Sequence, residues 1–145
     1  SDARARLAMA APMTEPCPFC QRVESGAVER ATLFAASFPD AYPVAAGHTL
    51  VVPRRHVANY FDLLPDEVAA LWAMVSEVQS VLATRLVPDG WNVGVNIGAA
   101  GGQTVDHVHI HVIPRFKGDV PDPRGGIRWI LPEHAPWWRD AKAAD

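Results

Sequence analysis

The sequence lacks several features that mark whole classes of protein. It has only two cysteines and no run of lysines and arginines, and its net charge is −3. A dedicated role in binding DNA or RNA is therefore poorly supported. No stretch approaches the roughly 18 to 20 continuous apolar residues of a membrane span. The apolar stretch at residues 7–13 is too short for the core of a signal peptide. We therefore expect a cytoplasmic protein with no nucleic-acid or membrane partner.

The chain itself has 145 residues, of which 49% are hydrophobic, and this is enough for one domain with a genuine core. Residues 1–12 are rich in alanine and arginine without a pattern, which predicts a flexible N-terminal tail. Residues 13–145 then form a single domain. It ends in an extended C-terminal segment, since residues 118–138 contain many prolines and glycines and little regular pattern.

Hydrophobic patterning predicts short strands over 27–32, 33–38, 48–53 and 91–98. The clearest helix covers residues 65–86, where Pro65 suits the first helical position and VPDG at 87–90 ends the pattern. Its apolar residues recur at helical spacing: Val68, Leu71, Trp72, Val75, Val78 and Leu82. We therefore predict an α+β fold in which a single antiparallel sheet of about five strands packs against one long helix and shorter helices.

Three of the six histidines lie in five residues of the segment DHVHIHVIPR, residues 106–115. Alternation of His107, His109 and His111 with β-branched residues predicts a strand with one imidazole face and one apolar face. Imidazoles so close together cannot all ionise cheaply, so most should be neutral near pH 7. Neutral imidazoles are available as nucleophiles or as metal ligands.

The loop AAGGQTV at residues 99–105 precedes this strand and favours phosphoryl chemistry. It has no bulky side chain through Gly102, so its backbone N–H groups can approach an anion closely. A histidine that attacks phosphorus explains the whole set best. A metal-dependent hydrolase is the alternative. It is weakened because Asp106, the neighbouring carboxylate, should face away from all three histidines on a strand.

Both cysteines belong to the motif CPFC, at positions 17 and 20. A structural disulfide is not expected in a cytosolic protein. A redox pair, half of a tetrahedral zinc site and a pair of inert thiols all remain open from the spacing alone.

The segment GGQTVDHVHIHVIPR, residues 101–115, resembles the signature of the histidine-triad superfamily. Residues 44–72 are similar to the strand and helix that precede this signature in the family. The segments AGGQTV and RFKGDVPDPRGGIRWILP most resemble the branch of fragile-histidine-triad proteins and dinucleoside polyphosphate hydrolases. The resemblance covers roughly residues 15–131. It implies a nucleotidyl hydrolase or transferase that acts at an α-phosphate of a small-molecule nucleotide, commonly as a homodimer.

Carried over position by position, the resemblance makes His109 the nucleophile that takes up the nucleoside monophosphate. The other catalytic groups that it implies are His111, His48 and Thr104, of which His111 donates to phosphate oxygens. The substrate-binding residues are Asp40 at the ribose hydroxyls and, at the phosphate, Asn96, Gly102, Gln103, Thr104 and His111. A divalent cation that accompanies a polyphosphate substrate, phosphorolysis or nucleotidyl transfer in place of hydrolysis, and nucleotide binding without turnover remain alternatives.

Some relatives carry zinc on a Cys-x-x-Cys pair and two such histidines. By this resemblance we expect a structural Zn²⁺ on Cys17, Cys20, His56 and His107. His107 would then anchor the metal while His109 attacks. Such a site has no open position for substrate.

Overall fold

The computed structural model describes residues 16–139, so the tail predicted for residues 1–12 lies outside the described residues. The helices that lie wholly within these residues are α1 (Pro18–Ser25) and α2 (Pro65–Leu86). The strands are β1 (Arg30–Ala31), β2 (Ala35–Pro39), β3 (Thr49–Pro53), β4 (Gly90–Val95) and β5 (Ile110–Arg115). Short 3-10 helices cover Tyr60–Asp62, Ala99–Gly101 and Gly126–Ile130. None of the helices among residues 16–139 is long and apolar enough to cross a bilayer.

The five strands form one antiparallel sheet in the order β1-β2-β3-β5-β4, which confirms the predicted α+β class. The last strand along the chain, β5, lies between β3 and β4. It pairs Leu50 with His111 on one side and Gly94 with His111 on the other. The centre of the sheet therefore carries the histidine segment.

Each face of the sheet is covered by a different helix. Long helix α2 packs on one face, where the core includes Val51, Leu71, Val78, Ile110 and Val112. On the opposite face a smaller cluster contains Ala36, Phe38, Leu50 and Val52, with Phe19 and Val23 of α1 and Val28 packed against it. Alternate residues of a strand point to opposite faces. The face that carries α1 therefore also carries the side chain of His111.

The bounds predicted for α2 are confirmed, because its start and stop signals are local. The carboxylate of Glu67 accepts a hydrogen bond from the backbone N–H of Leu64, and Val87 adopts a left-handed conformation after the last turn. Of the apolar residues named at helical spacing, Trp72 is 39% exposed, whereas Met74, which was not named, is buried. Trp72 lies about 100° around the helix from Leu71, at the edge of the apolar stripe.

The histidine strand is shorter than predicted, since β5 begins at Ile110 rather than near residue 106. Val51 lies opposite Ile110, so continuing the register would place Pro53, which has no N–H, opposite Val108. The N–H of Val108 instead donates to the carbonyl of Val57. His107 and His109 therefore lie in an extended segment before the strand. The other predicted strands also begin or end a few residues from their predicted limits.

Candidate active site

His109 is held as a neutral nucleophile would need to be held. Its side chain is buried, and its Nδ1–H donates to the backbone carbonyl of His107 over 2.8 Å. A carbonyl can only accept, so in the neutral ring the proton resides on Nδ1 and Nε2 keeps its lone pair. The ring of Phe19 packs edge-on against the imidazole at 5.0 Å between centroids. The ring therefore has both a hydrogen bond and a packing contact to fix its direction.

A hydrogen-bonded chain fixes the proton positions of two further histidines. The backbone N–H of Val44 donates to Nδ1 of His48 over 3.1 Å, so the proton of a neutral His48 lies on Nε2. That Nε2 lies 2.9 Å from Nδ1 of His111 and donates to it. His111 then carries its own proton on Nε2. A hydrogen-bond donor is thereby presented on the same sheet face as His109.

Asp40 adds a carboxylate to this chain, with Oδ2 3.3 Å from Nε2 of His48 and 4.0 Å from Nδ1 of His111. Its other oxygen accepts from the N–H of Tyr42. Donor atoms of Asp40, His48 and His111 lie within 4.8 Å of one another, as in a metal site. The proton on Nε2 of His48 leaves that nitrogen no lone pair for a cation, so the three groups form a proton-ordering chain.

Burial lowers the pKa of two imidazoles of the site, those of His111 and His48. It lowers the pKa of His111 to about 4, with repulsion from His109 and His48 adding to the effect. Burial likewise lowers the pKa of His48, against the opposing attraction of Asp40. The sequence predicted neutral rings from mutual repulsion. In the structure, burial is the larger cause of the lowered pKa of both rings, and repulsion between imidazoles is the smaller one for His111.

The loop before the histidines differs from the expected anion cradle. The N–H groups of residues 101, 102 and 103 donate to carbonyls of Gly98 and Ala99 inside the loop. The side chain of Gln103 is also engaged: its amide N–H₂ donates to the carbonyls of Ala58 and Val105, and its oxygen accepts from the N–H of Gly98. Gln103 therefore holds the shape of the loop in this structure. The side chains of Thr104 and Asn96 are exposed at this end of the site.

A groove of about 550 Å³ runs from His48 and His111 along β4, past Asn96 and Gly101. Arg115, at its far end, is the cationic residue in its lining. The guanidinium is already bound by Asp119, over 2.7 and 2.8 Å, and by Asn92, over 2.6 Å. In this groove, imidazole and amide groups are therefore the donors available to a phosphate, because the guanidinium of Arg115 is already paired.

Cys17, Cys20, His56 and His107 come together, although up to 90 residues separate them, with donor atoms within 4.8 Å of one another. Nδ1 of His107 lies 3.5 Å from each Sγ, and Nδ1 of His56 lies 3.2 Å from Sγ of Cys20. A tetrahedral zinc ion places sulfur and nitrogen ligands about 3.6 Å apart. The donor set and its spacing therefore fit such an ion.

The surroundings of this cluster are also those of a metal centre. Nε2–H of His107 donates to the carbonyl of Pro53 over 2.8 Å, which points Nδ1 at the thiols. Burial lowers the pKa of His107 to about 4, so the ligating nitrogen is free of a proton. Burial, with the side chain of Cys17 adding to it, raises the pKa of Cys20 to about 12. A cation that binds here must displace that proton.

Two features of the site escaped sequence reasoning. Phe19 lies between the two cysteines. The motif that supplies both thiols of the Cys/His cluster therefore also packs an aromatic ring against His109. Arg55, next to His56, forms two hydrogen bonds of 3.1 and 2.7 Å to the buried carboxylate of Glu67. The position of Phe19 within CPFC could have suggested its role. The Arg55–Glu67 pair joins two elements and carries no local signal.

Comparison with known proteins places these features in a family. The profile of the HIT domain matches residues 29–118. An uncharacterized 16.1 kDa HIT-like protein of Mycoplasma pneumoniae is 41% identical over 105 residues, which cover 70% of this chain and 72% of that protein. Bis(5'-nucleosyl)-tetraphosphatase [asymmetrical] of Schizosaccharomyces pombe is also 41% identical, over 63% of this chain and half of its own length. AP-4-A phosphorylase of Mycobacterium tuberculosis is 42% identical, over 54% of this chain and 41% of its own length.

Solved structures that resemble this chain belong to the same family. A hypothetical histidine triad nucleotide-binding protein from Sulfolobus tokodaii has a TM-score of 0.67 at 35% identity, and the match covers 73% of each chain. A Zn-bound histidine triad family protein from Mycobacterium smegmatis has a TM-score of 0.66 at 31% identity, over 87% of this chain and 96% of that one. With the profile matching well over half of the sequence, the chain belongs to the HIT domain family.

Proposed function

We propose that this chain is a nucleotidyl hydrolase that cleaves at the α-phosphate of a dinucleoside polyphosphate or a related nucleotide. The observation that carries the proposal is the hydrogen bond from Nδ1–H of His109 to the carbonyl of His107, which in the neutral ring leaves the lone pair on Nε2. The similarity to a tetraphosphatase of fission yeast supports this substrate class.

The proposed reaction has two steps. The lone pair on Nε2 of His109 attacks the α-phosphorus, a P–N bond forms, and the bond from phosphorus to the leaving oxygen breaks. Water then attacks the nucleotidyl-histidine, breaks the P–N bond and gives one proton to solvent, which releases the nucleoside monophosphate and restores the free imidazole.

The surrounding residues stabilise the charge that develops at phosphorus. Nε2–H of His111 donates to a phosphate oxygen, and His48 acts through the tautomer of His111. Thr104 donates to the leaving oxygen. Asp40 accepts from the ribose hydroxyls, once its contact with His48 opens. At the phosphate we also propose contacts from Asn96 and, once hydrogen bonds within the loop open, from Gly102 and Gln103.

We propose that the metal cluster binds a structural Zn²⁺ on Cys17, Cys20, His56 and His107. Bound there, the ion supplies a cross-link between α1 and the segment before β5, with all four positions filled by protein. The Zn-bound relative from Mycobacterium smegmatis supports this identity. The ring of His107 holds the metal, while its backbone carbonyl orients His109. The free thiols fit the proposed cytoplasmic location.

Phosphorolysis is the second candidate, since the chain is similar to an AP-4-A phosphorylase. Inorganic phosphate would then replace water in the second step and yield a nucleoside diphosphate. Chromatography of the products with and without added phosphate distinguishes the two reactions. We also propose that the chain forms a homodimer, for which the free edge of β4 offers unpaired backbone groups.

His109→Ala tests the proposed function. We expect its turnover of diadenosine triphosphate, diadenosine tetraphosphate and adenosine phosphoramidate to fall by about 10³-fold or more, with AMP binding retained. His134→Ala is the matched control, because the side chain of His134 is exposed and does not line the groove. Full activity of the His109 variant would reject the mechanism. Binding by the wild type with no turnover of any substrate would favour a binding module.

A further inference from the structure

The C-terminal segment from Gly125 to Trp138 contributes a wall to the catalytic groove. Ile127 and Ile130 line the same groove as His111, although they follow β5 by more than ten residues. Both side chains are largely exposed, at 66% and 74%. Apolar side chains that line a catalytic groove and remain exposed are suited to covering part of a ligand.

Hydrogen bonds hold this segment in place. The guanidinium of Arg128 donates to the carbonyls of His134 and Ala135, and Nε1–H of Trp129 donates to the carbonyl of Arg124. The guanidinium of Arg124 also stacks over the ring of Trp138 at 4.5 Å. The wall is therefore preorganised, which reduces the entropy lost when a ligand binds against it.

The floor of the groove next to the active site is a glycine. Gly94 lies directly opposite His111 in the sheet register. A Cβ atom on Gly94 would lie 3.8 Å from Cδ1 of Ile127, which is ordinary van der Waals contact. Ile127 therefore lies close to the strand beside His111, and the wall of the groove begins at the active site.

When Nε2 of His109 attacks phosphorus, the leaving group lies roughly in line with it, on the far side of the phosphorus atom. On the α1 side of His109 the sheet is already covered by Phe19 and Phe38. On the β4 side the groove offers the apolar side chains of Val44, Ile127 and Ile130. The charge of Arg115 at its end is satisfied by Asp119. These walls suit an uncharged, flat group better than a row of phosphates.

We propose that Ile127 and Ile130 bind the base of the leaving nucleoside and so select substrates that carry a second nucleoside. This inference rests on the proposed function, because it assigns the groove to the leaving group of that reaction. The site then distinguishes dinucleoside polyphosphates from nucleotides with a small leaving group by apolar contact with the C-terminal segment.

The test is calorimetric binding of two ligands to the full chain: AMP and a methylene-bridged analogue of diadenosine triphosphate that cannot be cleaved. We expect the wild type to bind the analogue at least about tenfold more tightly than AMP. Ile127→Ala and Ile130→Ala should each weaken the analogue about tenfold, with a much smaller effect on AMP. Leu131→Ala, an exposed residue of the same segment outside the groove, is the matched control.

Equal affinity of the wild type for both ligands, or equal losses for both in the variants, would overturn the proposal. Sedimentation of the wild type and of the double variant adds a second criterion. A change in association state on truncation would show that the two isoleucines belong to an interface between copies. Because neither readout needs turnover, an inactive wild type that still prefers the analogue would reject the hydrolase and retain the subsite.

Discussion

Removal of the proposed zinc ion is expected to destabilise the whole domain, because the cluster joins distant parts of the chain. Cys20 and His107 are 87 residues apart. For a cross-link that closes a loop of this length, the chain-entropy relation gives about 4.6 kcal/mol at 25 °C. In a chain of this size 1 kcal/mol corresponds to about 2 to 4 °C in Tm, so chelation should lower Tm by about 9 to 18 °C.

The assay is thermal unfolding followed by circular dichroism in zinc-buffered solutions. Each tenfold increase in free zinc above the dissociation constant should add about 1.4 kcal/mol to the free energy of unfolding. Elemental analysis should find about one zinc per chain. His56→Gln should lower both the zinc content and Tm, whereas His134→Gln, which changes an exposed histidine, should change neither.

The proposed zinc site is refuted if the purified chain contains no zinc and its Tm is the same in chelator and in zinc. It also fails if His56→Gln binds zinc as tightly as the wild type, since the fourth ligand would then have to lie elsewhere.

Two further predictions follow from buried polar groups. Glu67→Gln should lower the free energy of unfolding, measured by urea denaturation, by about 2 kcal/mol, because it removes the charge that pairs with Arg55. Glu77→Gln changes an exposed residue of the same helix and should have little effect. Equal effects of the two substitutions would contradict this role of Glu67. Burial lowers the pKa of His111 from 6.5 to about 4, so the unfolded chain takes up protons in that interval that the folded chain does not. The free energy of unfolding should therefore fall as the pH is lowered from 6.5 to 4, by about 1 to 3 kcal/mol, and His111→Gln should reduce this slope; an unchanged slope would refute the assignment.

Local signals in the sequence predict α2 well and the histidine strand only in part. Pro65, the apolar stripe and the turn after Leu86 are all readable within one segment. The alternation of histidines predicts which face each ring occupies, but the strand begins where its neighbour permits. Pro53, more than fifty residues earlier, sets that limit. The start of β5 therefore depends on a pairing that no local pattern contains.

In the candidate site, too, the sequence indicates some features and tertiary packing determines the others. Resemblance to a family identified the four residues of the proposed zinc site, whereas spacing alone left three alternatives for the cysteines. The contact of Phe19 with His109 and the pairing of Arg55 with Glu67 depend on how separate elements pack. Tertiary packing also decided that Gln103 turns its amide into the loop.

The carbonyl that orients His109 belongs to the peptide backbone of residue 107, so every substitution at that position retains it. Any requirement for a histidine ring at 107 must therefore come from the thiols and the carbonyl that the ring contacts. Of the three histidines in the motif, the first is the one whose replacement leaves in the chain the acceptor for His109.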